Sequence, residues 1–499
     1  MTTEQRTDHG SGEAAGAIAD LTMVIGGAQV GAADGQTFEV VNPADGRVIA
    51  RAPLGGREDV DRAVAAAQAA FDDPKGWATW AAGKRGRTLA KFAALVKDHS
   101  EELARLESRN VGKPISGARG EVIGASLVFD YYAGAANKLF GETIPVSKPG
   151  LDFTLREPIG VVGLIVPWNF PILMASWKLG PALAAGNACI LKPASYSPMT
   201  AIRLGELALE AGIPAGILNV VTGPGGTAGA SIAAHPGVGK VAFTGETTTG
   251  QEIMRLAAGN VKKISLELGG KSPNIVFADA DLDKFAATAP YAVFDNTGQD
   301  CCARSRIFVE RSAHDEVVEK LAAATRGVKV GDPSDDATEV GTLVSFKQRE
   351  RVMDYIEIGQ REGATIVVGG AAPDDPSLAA GAYLMPTIFD GVRNDMRIAA
   401  EEIFGPVVTV IPFDTEDEAI ALANATPYGL SGSIWSRDIG RALRTAKRVQ
   451  AGVLSVNSNS SVHTEAPFGG YKMSGIGREL GMHALELYTE VKNVFVDLS

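Results

Sequence analysis

The chain has 499 residues, 45% hydrophobic and 21% charged, a length for about three domains at roughly 150 residues each and enough to bury a core without staples. Lys and Arg number 47 against 59 Asp and Glu, and the net charge of −12 argues against nucleic acid or an anionic membrane as the main partner. The only cysteines, Cys189, Cys301 and Cys302, offer no disulfide framework, and no zinc spacing exists among them and the six histidines, so a reducing, cytoplasmic setting and no metal are expected.

Residues 1–19 are polar and rich in Gly and Ala, with no apolar signal-like run, and read as a flexible lead-in. Residues 58–71 place Val60, Val64, Ala67 and Phe71 on one helical face, and 88–106 reads as one further helix. The uncharged run 159–177 has the length of a membrane span, but Gly160, Gly163, Pro167, Asn169 and Pro171 break it. It reads better as a buried strand over 159–166, a turn, and a helix from near Asn169. Strand-like runs at 188–191, 218–221 and 240–243 alternate with helices at 199–211 and 227–234, the pattern of βαβ units and a parallel sheet. The alternation restarts after Glu267. Strands are predicted at 274–277, 307–310, 407–412 and 432–435, with helices at 314–324, 348–361, 416–425 and 440–449. Two lone strands, 152–156 and 490–498, lie outside both runs and need partners, each other or a second subunit.

Several residue groups have chemical potential. Cys301 follows Gly298 and Gln299, so it lies at a turn, and the nearby Arg304 and Arg306 would favour a thiolate while Asp300 opposes it. Cys189, in an apolar strand, reads as inert. Glu267 stands between two leucines, where an apolar pocket would raise its pKa towards that of a general base. Two phosphate loops compete. Residues 223–228 fit G-x-G-x-x-A, and 243–250 also follow a strand and open a helix, whose N-terminus suits a pyrophosphate. Asn169 reads as a helix N-cap, or as an amide donor to an oxyanion. His463 has no assignable partner.

Asn169, Glu267 and Cys301 lie within a set of seven motifs that occur in order. They are Pro-Trp-Asn-Phe-Pro at 167–171, Lys-Pro at 192–193, Phe-Thr-Gly at 243–245, Leu-Glu-Leu-Gly-Gly-Lys at 266–271, Gly-Gln-Asp-Cys at 298–301, Glu-Ile-Phe-Gly-Pro at 402–406 and Pro-Phe-Gly-Gly-Tyr-Lys-Met-Ser-Gly-Ile-Gly-Arg at 467–478. With them the chain resembles the NAD(P)-dependent aldehyde dehydrogenase superfamily over residues 20–499. The resemblance implies an α/β fold: a Rossmann-like cofactor domain over 20–138 and 159–266, an α/β catalytic domain over 267–484, and a small β oligomerisation element from 139–158 and 485–499. It implies a homodimer or homotetramer that oxidises a small-molecule aldehyde to the free acid with NAD or NADP. Cys301 would be the nucleophile, Asn169 an oxyanion donor and Glu267 the base that activates water, with Lys178 and Glu479 relaying the proton. Gly245 would lie at the pyrophosphate, Gly225 near the adenine side, and Lys192 and Ser195 at the adenosine ribose. Glu402 would hold the nicotinamide ribose, beside Phe404 and Trp168.

Three departures from the family pattern stand out. Ser195 replaces a Glu that many NAD-preferring members carry, which should permit NADP. Glu246 follows Thr-Gly where many members have Ser, so its side chain is expected to point away from a pyrophosphate. Asp295 and Asp300 flank the nucleophile's loop and read as solvated loop acids, or as a bias towards amino-aldehydes. Phe170, Trp177, Val462 and Phe468 suggest an apolar substrate passage. Other chemistries are weighed by the same residues. Transfer to coenzyme A would not need Glu267, a cofactor-free cysteine hydrolase would need a positioned His, and a non-catalytic role conflicts with the intact Cys301, Glu267 and Asn169 set.

Overall fold

The structure, a computed structural model, describes residues 18–499. Nearly all of the predicted lead-in over 1–19 lies outside the described residues. The first large sheet has the strand order Gly475–Ile476, Lys263–Glu267, Lys240–Thr244, Val161–Ile165, Ala188–Lys192, Leu218–Val220, Met23–Ile25, Ala28–Val30. Its five central strands are parallel. Every residue of Val161–Ile165, Ala188–Lys192 and Lys240–Thr244 is buried, as a sheet covered on both faces requires. From Val161–Ile165 the chain winds outward through Ala188–Lys192 to Leu218–Val220, then returns to the other side for Lys240–Thr244 and Lys263–Glu267. The strand order therefore reverses between Val161–Ile165 and Lys240–Thr244, and the crevice beyond their carboxyl ends is where such sheets bind ligands.

The second sheet orders Thr365–Val368, Thr387–Asp390, Val407–Phe413, Arg306–Glu310, Pro273–Val276, Ser431–Trp435 and Val453–Val456, parallel except for the edge strand Thr365–Val368. Only Leu268 to Ser272 separates the last strand of the first sheet's parallel set from the first strand of the second. The carboxyl edge of one sheet thus adjoins the amino edge of the other. Gly475–Ile476, from the far end of the chain, closes the first sheet's edge against Leu266 and Glu267. The two lone strands pair with each other, antiparallel, from Thr489 on Pro158 to Asp497 on Gly150.

Three local readings change. The helix predicted over 88–106 is two, Ala82–Asp98 and Ser100–Val111. The His99 N–H closes the first on Leu95 and its carbonyl opens the second to Leu103. Helix Ile115–Ala135 was not predicted; it buries Val122, Phe129 and Tyr132 and packs on both Ala82–Asp98 and Pro171–Ala185. The run 159–177 is strand, turn and helix, and no helix among the described residues is long and apolar enough to cross a membrane.

Asn187 ties the chain's tail to this frame. Fully buried, it accepts from Gly160 N at 3.1 Å and donates to the carbonyls of Ala182 and Tyr488, each at 3.0 Å. Asn187→Ala would orphan buried groups at roughly 1–3 kcal/mol each, so thermal melting should drop by several degrees. A melting point equal to wild type would show that Asn187 does not hold the tail.

Candidate active site

The strand order reverses where strand Val161–Ile165 runs into Pro167, Trp168 and Asn169, and Lys240–Thr244 into Gly245 and Glu246. These residues line a pocket of 160 Å³, closed from the second sheet by Cys301, Glu402 and Phe404. Asn169 is not the helix N-cap: Phe170 holds that position and Pro171 begins the helix. A distant carboxylate serves the helix's first turn, Glu107 accepting from Ile172 N at 2.9 Å. The Asn169 amide is therefore available elsewhere, and Nδ2 donates to the Gln299 carbonyl at 2.9 Å. Its own carbonyl accepts from Lys113 Nζ at 2.8 Å and Asn296 Nδ2 at 2.7 Å. The loop is thus pinned from three sides, and the second Nδ2 hydrogen makes no bond among the described residues.

Cys301 sits on a tight turn, as expected. Asn296, Thr297 and Gly298 have φ of 48, 59 and 70°, a run of left-handed residues that is unusual for a β-branched Thr. Gly298 is required, because a Cβ there would lie 2.2 Å from the Gly405 carbonyl oxygen. Gln299 locks the turn by accepting from Val344 N at 2.9 Å and donating to Asn296 O at 3.0 Å. Cys301 is half-buried and lines the pocket, Cys302 is buried beside it, and Cys189 is sealed inside its strand.

The charge of Arg304 does act on the thiols of Cys301 and Cys302, but the expected activation is outweighed. Arg304 donates to Ser433 Oγ, Ser461 Oγ and the Cys302 carbonyl, and Arg306 turns away to the Lys271 carbonyl. The Cys302 thiol, then burial, then the Asp300 and Glu402 carboxylates hold the Cys301 thiol well above its ordinary range. Adjacency in sequence did not set side-chain direction. Asp295 is exposed, as a solvated loop acid would be, whereas Asp300 is half-buried. They accept from Asn296 N at 2.9 Å and Cys302 N at 2.8 Å, and burial raises both.

Glu267 ends its strand opposite Thr244 and Gly475. It is buried, and neither carboxylate oxygen has a hydrogen-bond partner among the described residues. Gly469 makes room for it: a Cβ there would stand 2.6 Å from Oε1. Burial, then the nearby Glu479 carboxylate, push the Glu267 carboxyl well above the usual range. Lys178 pairs with Glu479 and donates to Thr244 Oγ1 at 2.7 Å, and Glu479 Oε2 has no partner among the described residues.

Gly245 leads into helix Thr247–Ala257, which has Glu246 at its N-cap position and no side-chain cap. Glu246 is exposed and lines the pocket. Glu402 accepts from Gly270 N at 3.0 Å, and burial raises its carboxyl to about 7. A Cβ on Gly269 would come within 2.1 Å of Glu402 Oε2. Phe404 has φ of 59° and meets Trp168 edge-on at 5.2 Å. Lys192, Ser195 and Gly225 do not line this pocket. Lys192 runs beside Gly229, with its ammonium on the Pro193 carbonyl and lowered by burial to about 8. Ser195 Oγ donates to Gly223 O at 3.1 Å, and Gly225 opens the turn Gly225–Gly229. Trp177 and Phe468 pack edge to face at 5.0 Å, and Val462 is exposed.

Sequence reasoning missed Gln348 and Arg351, which line the pocket from helix Phe346–Arg361, and Lys113, which holds the Asn169 carbonyl. Gln348 Nε2 donates to the Phe404 carbonyl at 2.8 Å. None carries a local signal, because each reaches the site from a distant segment. The arrangement as a whole joins a thiol, an uncommitted amide N–H and an unpartnered carboxyl of raised pKa around one crevice. That combination is suited to covalent addition at a carbonyl followed by hydrolysis.

The sequence model described as "Aldehyde dehydrogenase family" matches residues 30–494. The betaine aldehyde dehydrogenase of Bacillus subtilis (strain 168) is 46% identical over 475 residues, covering 95% of this chain and 97% of that protein. Two solved structures, each with a TM-score of 0.94, are similar across the fold. One is a betaine aldehyde dehydrogenase from Staphylococcus aureus in complex with NAD+, 41% identical over 95% of both chains. The other is an indole-3-acetaldehyde dehydrogenase mutant from P. syringae in complex with NAD+ and IAA, 45% identical over 96% of both chains. The switch-point crevice, the thiol that lines it, the buried carboxyl next in the chain to its lining residue Leu268 and this likeness along almost the whole chain lead to one conclusion: the chain belongs to the aldehyde dehydrogenase family.

Proposed function

We propose that the protein oxidises an aldehyde to the free carboxylic acid with NAD or NADP, through a thiohemiacetal and a thioester on Cys301. The observation that carries this reading is Glu267, a buried carboxyl without a partner among the described residues, close enough to the cysteine loop to feel the charge of Cys302. Such a group is unfavourable in a purely structural role and useful as a base.

The Cys301 thiol is held protonated in the resting fold, so it must lose its proton as Sγ attacks the aldehyde carbon. The raised carboxylate of Glu267 is basic enough to assist. The second Nδ2 hydrogen of Asn169 and the Cys301 N–H would take the developing oxyanion. The nicotinamide, when bound, supplies a hydride acceptor. Glu267, once the thiol's proton has passed on towards Lys178 and Glu479, then takes a proton from the water that attacks the thioester carbon. The C–S bond breaks, the acid leaves and the thiolate is restored. The pair of Lys178 and Glu479 behind Glu267 supports onward movement of that proton.

The chain's residues fit a dinucleotide. The eleven-residue helix Thr247–Ala257 has no side-chain cap, leaving first-turn N–H groups and the positive end of its dipole for a pyrophosphate beside Gly245. Glu402 would hold the nicotinamide ribose, with Phe404 and Trp168 forming the wall beside it. Lys192 and Ser195 would reach the adenosine ribose, with Gly225 on the adenine side. The NAD+ in similar structures supports the NAD half of this reading, and Ser195 supports NADP. We read 20–138 with 159–266 as the cofactor domain, 267–484 as the catalytic domain, and 139–158 with 485–499 as the oligomerisation element of a cytoplasmic homodimer or homotetramer. The exposed Leu151, Leu155, Val491 and Phe495 on that last element support subunit pairing.

Three outcomes check this reading. Glu267→Gln should leave a burst of reduced cofactor and slow steady-state turnover by about 10²–10⁴-fold. In wild type the hydrolytic step should fall as pH drops through the raised Glu267 pKa, above the usual carboxylate range; unchanged turnover in the variant removes Glu267 from the mechanism. Cys301→Ser should abolish burst and turnover, a loss of roughly a thousandfold or more, whereas Cys302→Ser should retain both; the reverse pattern would make Cys302 the nucleophile. Wild type should use NADP at a rate comparable to NAD, and Ser195→Glu should raise the KM for NADP selectively. A wild type that ignores NADP would refute the role given to Ser195.

A further inference from the structure

Behind the turn that follows Glu267, three cations gather without a bonded carboxylate among the described residues. Arg306 is fully buried and donates only to the Lys271, Ala423 and Leu422 carbonyls and the Asn394 side-chain oxygen. Lys472, nearer the surface, donates to the carbonyls of Asn424 at 2.9 Å and Thr426 at 3.1 Å. Lys271 is 2% exposed, and no hydrogen bond from its ammonium is made among the described residues. The nearest acids are engaged elsewhere. Glu402 holds Gly270 N, and Glu401 accepts from Arg397 and Tyr355.

Lys271, Ser272, Arg306, Thr426, Tyr428 and Ser431 line a recess of about 10 Å³, room for one water-sized sphere. The hydroxyls of Ser272 and Ser431 are buried with no partner among the described residues. Burial keeps the Tyr428 phenol protonated, with its pKa raised to about 12. The recess is therefore rich in donors and cations and offers few acceptors of its own. A water could accept from two of these donors but would neutralise no charge, and a buried uncompensated cation is strongly disfavoured. A tetrahedral oxyanion is too large for the volume.

We propose that this recess binds a single monatomic anion of chloride's size, held by Lys271, Arg306 and the hydroxyls of Ser272 and Ser431. Its affinity should depend on pH. Burial and Arg306 lower Lys271 to about 7 against the weaker opposing pull of Glu402 and Glu401. Burial, then Arg306, also lower Lys472. The anion prefers protonated Lys271, so binding must take up a proton above that pH and weakens as pH rises. The site adjoins the chemistry. Gly270, next in the chain, holds Glu402 through its N–H and lies against the Cys301 carbonyl, where a Cβ would come within 2.4 Å. An anion here would stiffen that turn.

The test needs no activity measurement, so it stands or falls separately from the proposed reaction. Crystals of the full chain grown with bromide in place of chloride should show an anomalous peak between Lys271 and Arg306. Melting in sodium chloride should exceed melting in sodium gluconate of equal ionic strength, saturably, and Lys271→Met should abolish the difference. Between about pH 6.5 and about pH 8.5 the apparent affinity should weaken roughly 25-fold, following the protonated fraction of Lys271. No bromide in the recess, or equal melting in the two salts, would leave water as the occupant and overturn the proposal. A bromide peak without any effect on melting would mark an adventitious ion only and overturn it equally. Should Lys271→Met fail to fold, Ser431→Ala must weaken the chloride effect in its place.

Discussion

The hydrogen bond from Asn169 Nδ2 to the Gln299 carbonyl joins the carboxyl edge of one sheet to the cysteine loop of the other. Each sheet packs mainly on apolar clusters of its own, although Cys302, Leu430 and Val453 join the first sheet's cluster. What the bond sets is the relative position of the two edges, and with it the distance between thiol, amide and base. Lys113 and Asn296 hold the Asn169 carbonyl, and Gln299 is held at both ends of its side chain. A reactive centre built from loops is thereby given the rigidity of the strands behind it.

The charges around the crevice follow from that closeness. Cys301, Glu267 and Glu402 all stand where their neutral forms are favoured. The resting site is thus a store of protons rather than of charge, and each ionisation can accompany a chemical or binding event. Just beyond Gly270 the bias reverses, with Lys271 and Arg306 buried as cations or nearly so. Two neighbouring regions of opposite tendency share one short turn.

Much of the frame was legible because buried parallel strands are short, apolar and flanked by glycine; Val161–Ile165 and Ala188–Lys192 are of this kind. Helix Ile115–Ala135 escaped because Gly117, Gly120 and Gly124 blur its period and apolar residues occur on most of its faces. The break at His99 involves no Gly or Pro, so a continuous period ran through it. The thiol, the base and the amide were recognisable as motif residues. What helps them was not. Lys113, Glu107 and Gln348 arrive from other parts of the chain, and the direction of Arg304 and Arg306 depends on packing that no spacing encodes.

The last 21 residues, 479–499, connect chemistry to architecture in a further way. Glu479, paired with Lys178 behind the base, is followed by the helix Gly481–Glu486 and then by the strand Thr489–Asp497. Tyr488, between them, is clamped by Asn187, and Lys263 holds the Thr489 carbonyl from the base of the same strand that carries Glu267 at its tip. Pulling on the tail therefore loads the strand at one end and the Glu479 segment at the other. The outermost ribbon of the molecule acts as a tension member for the base, so whatever grips that ribbon also tunes how firmly the base is held.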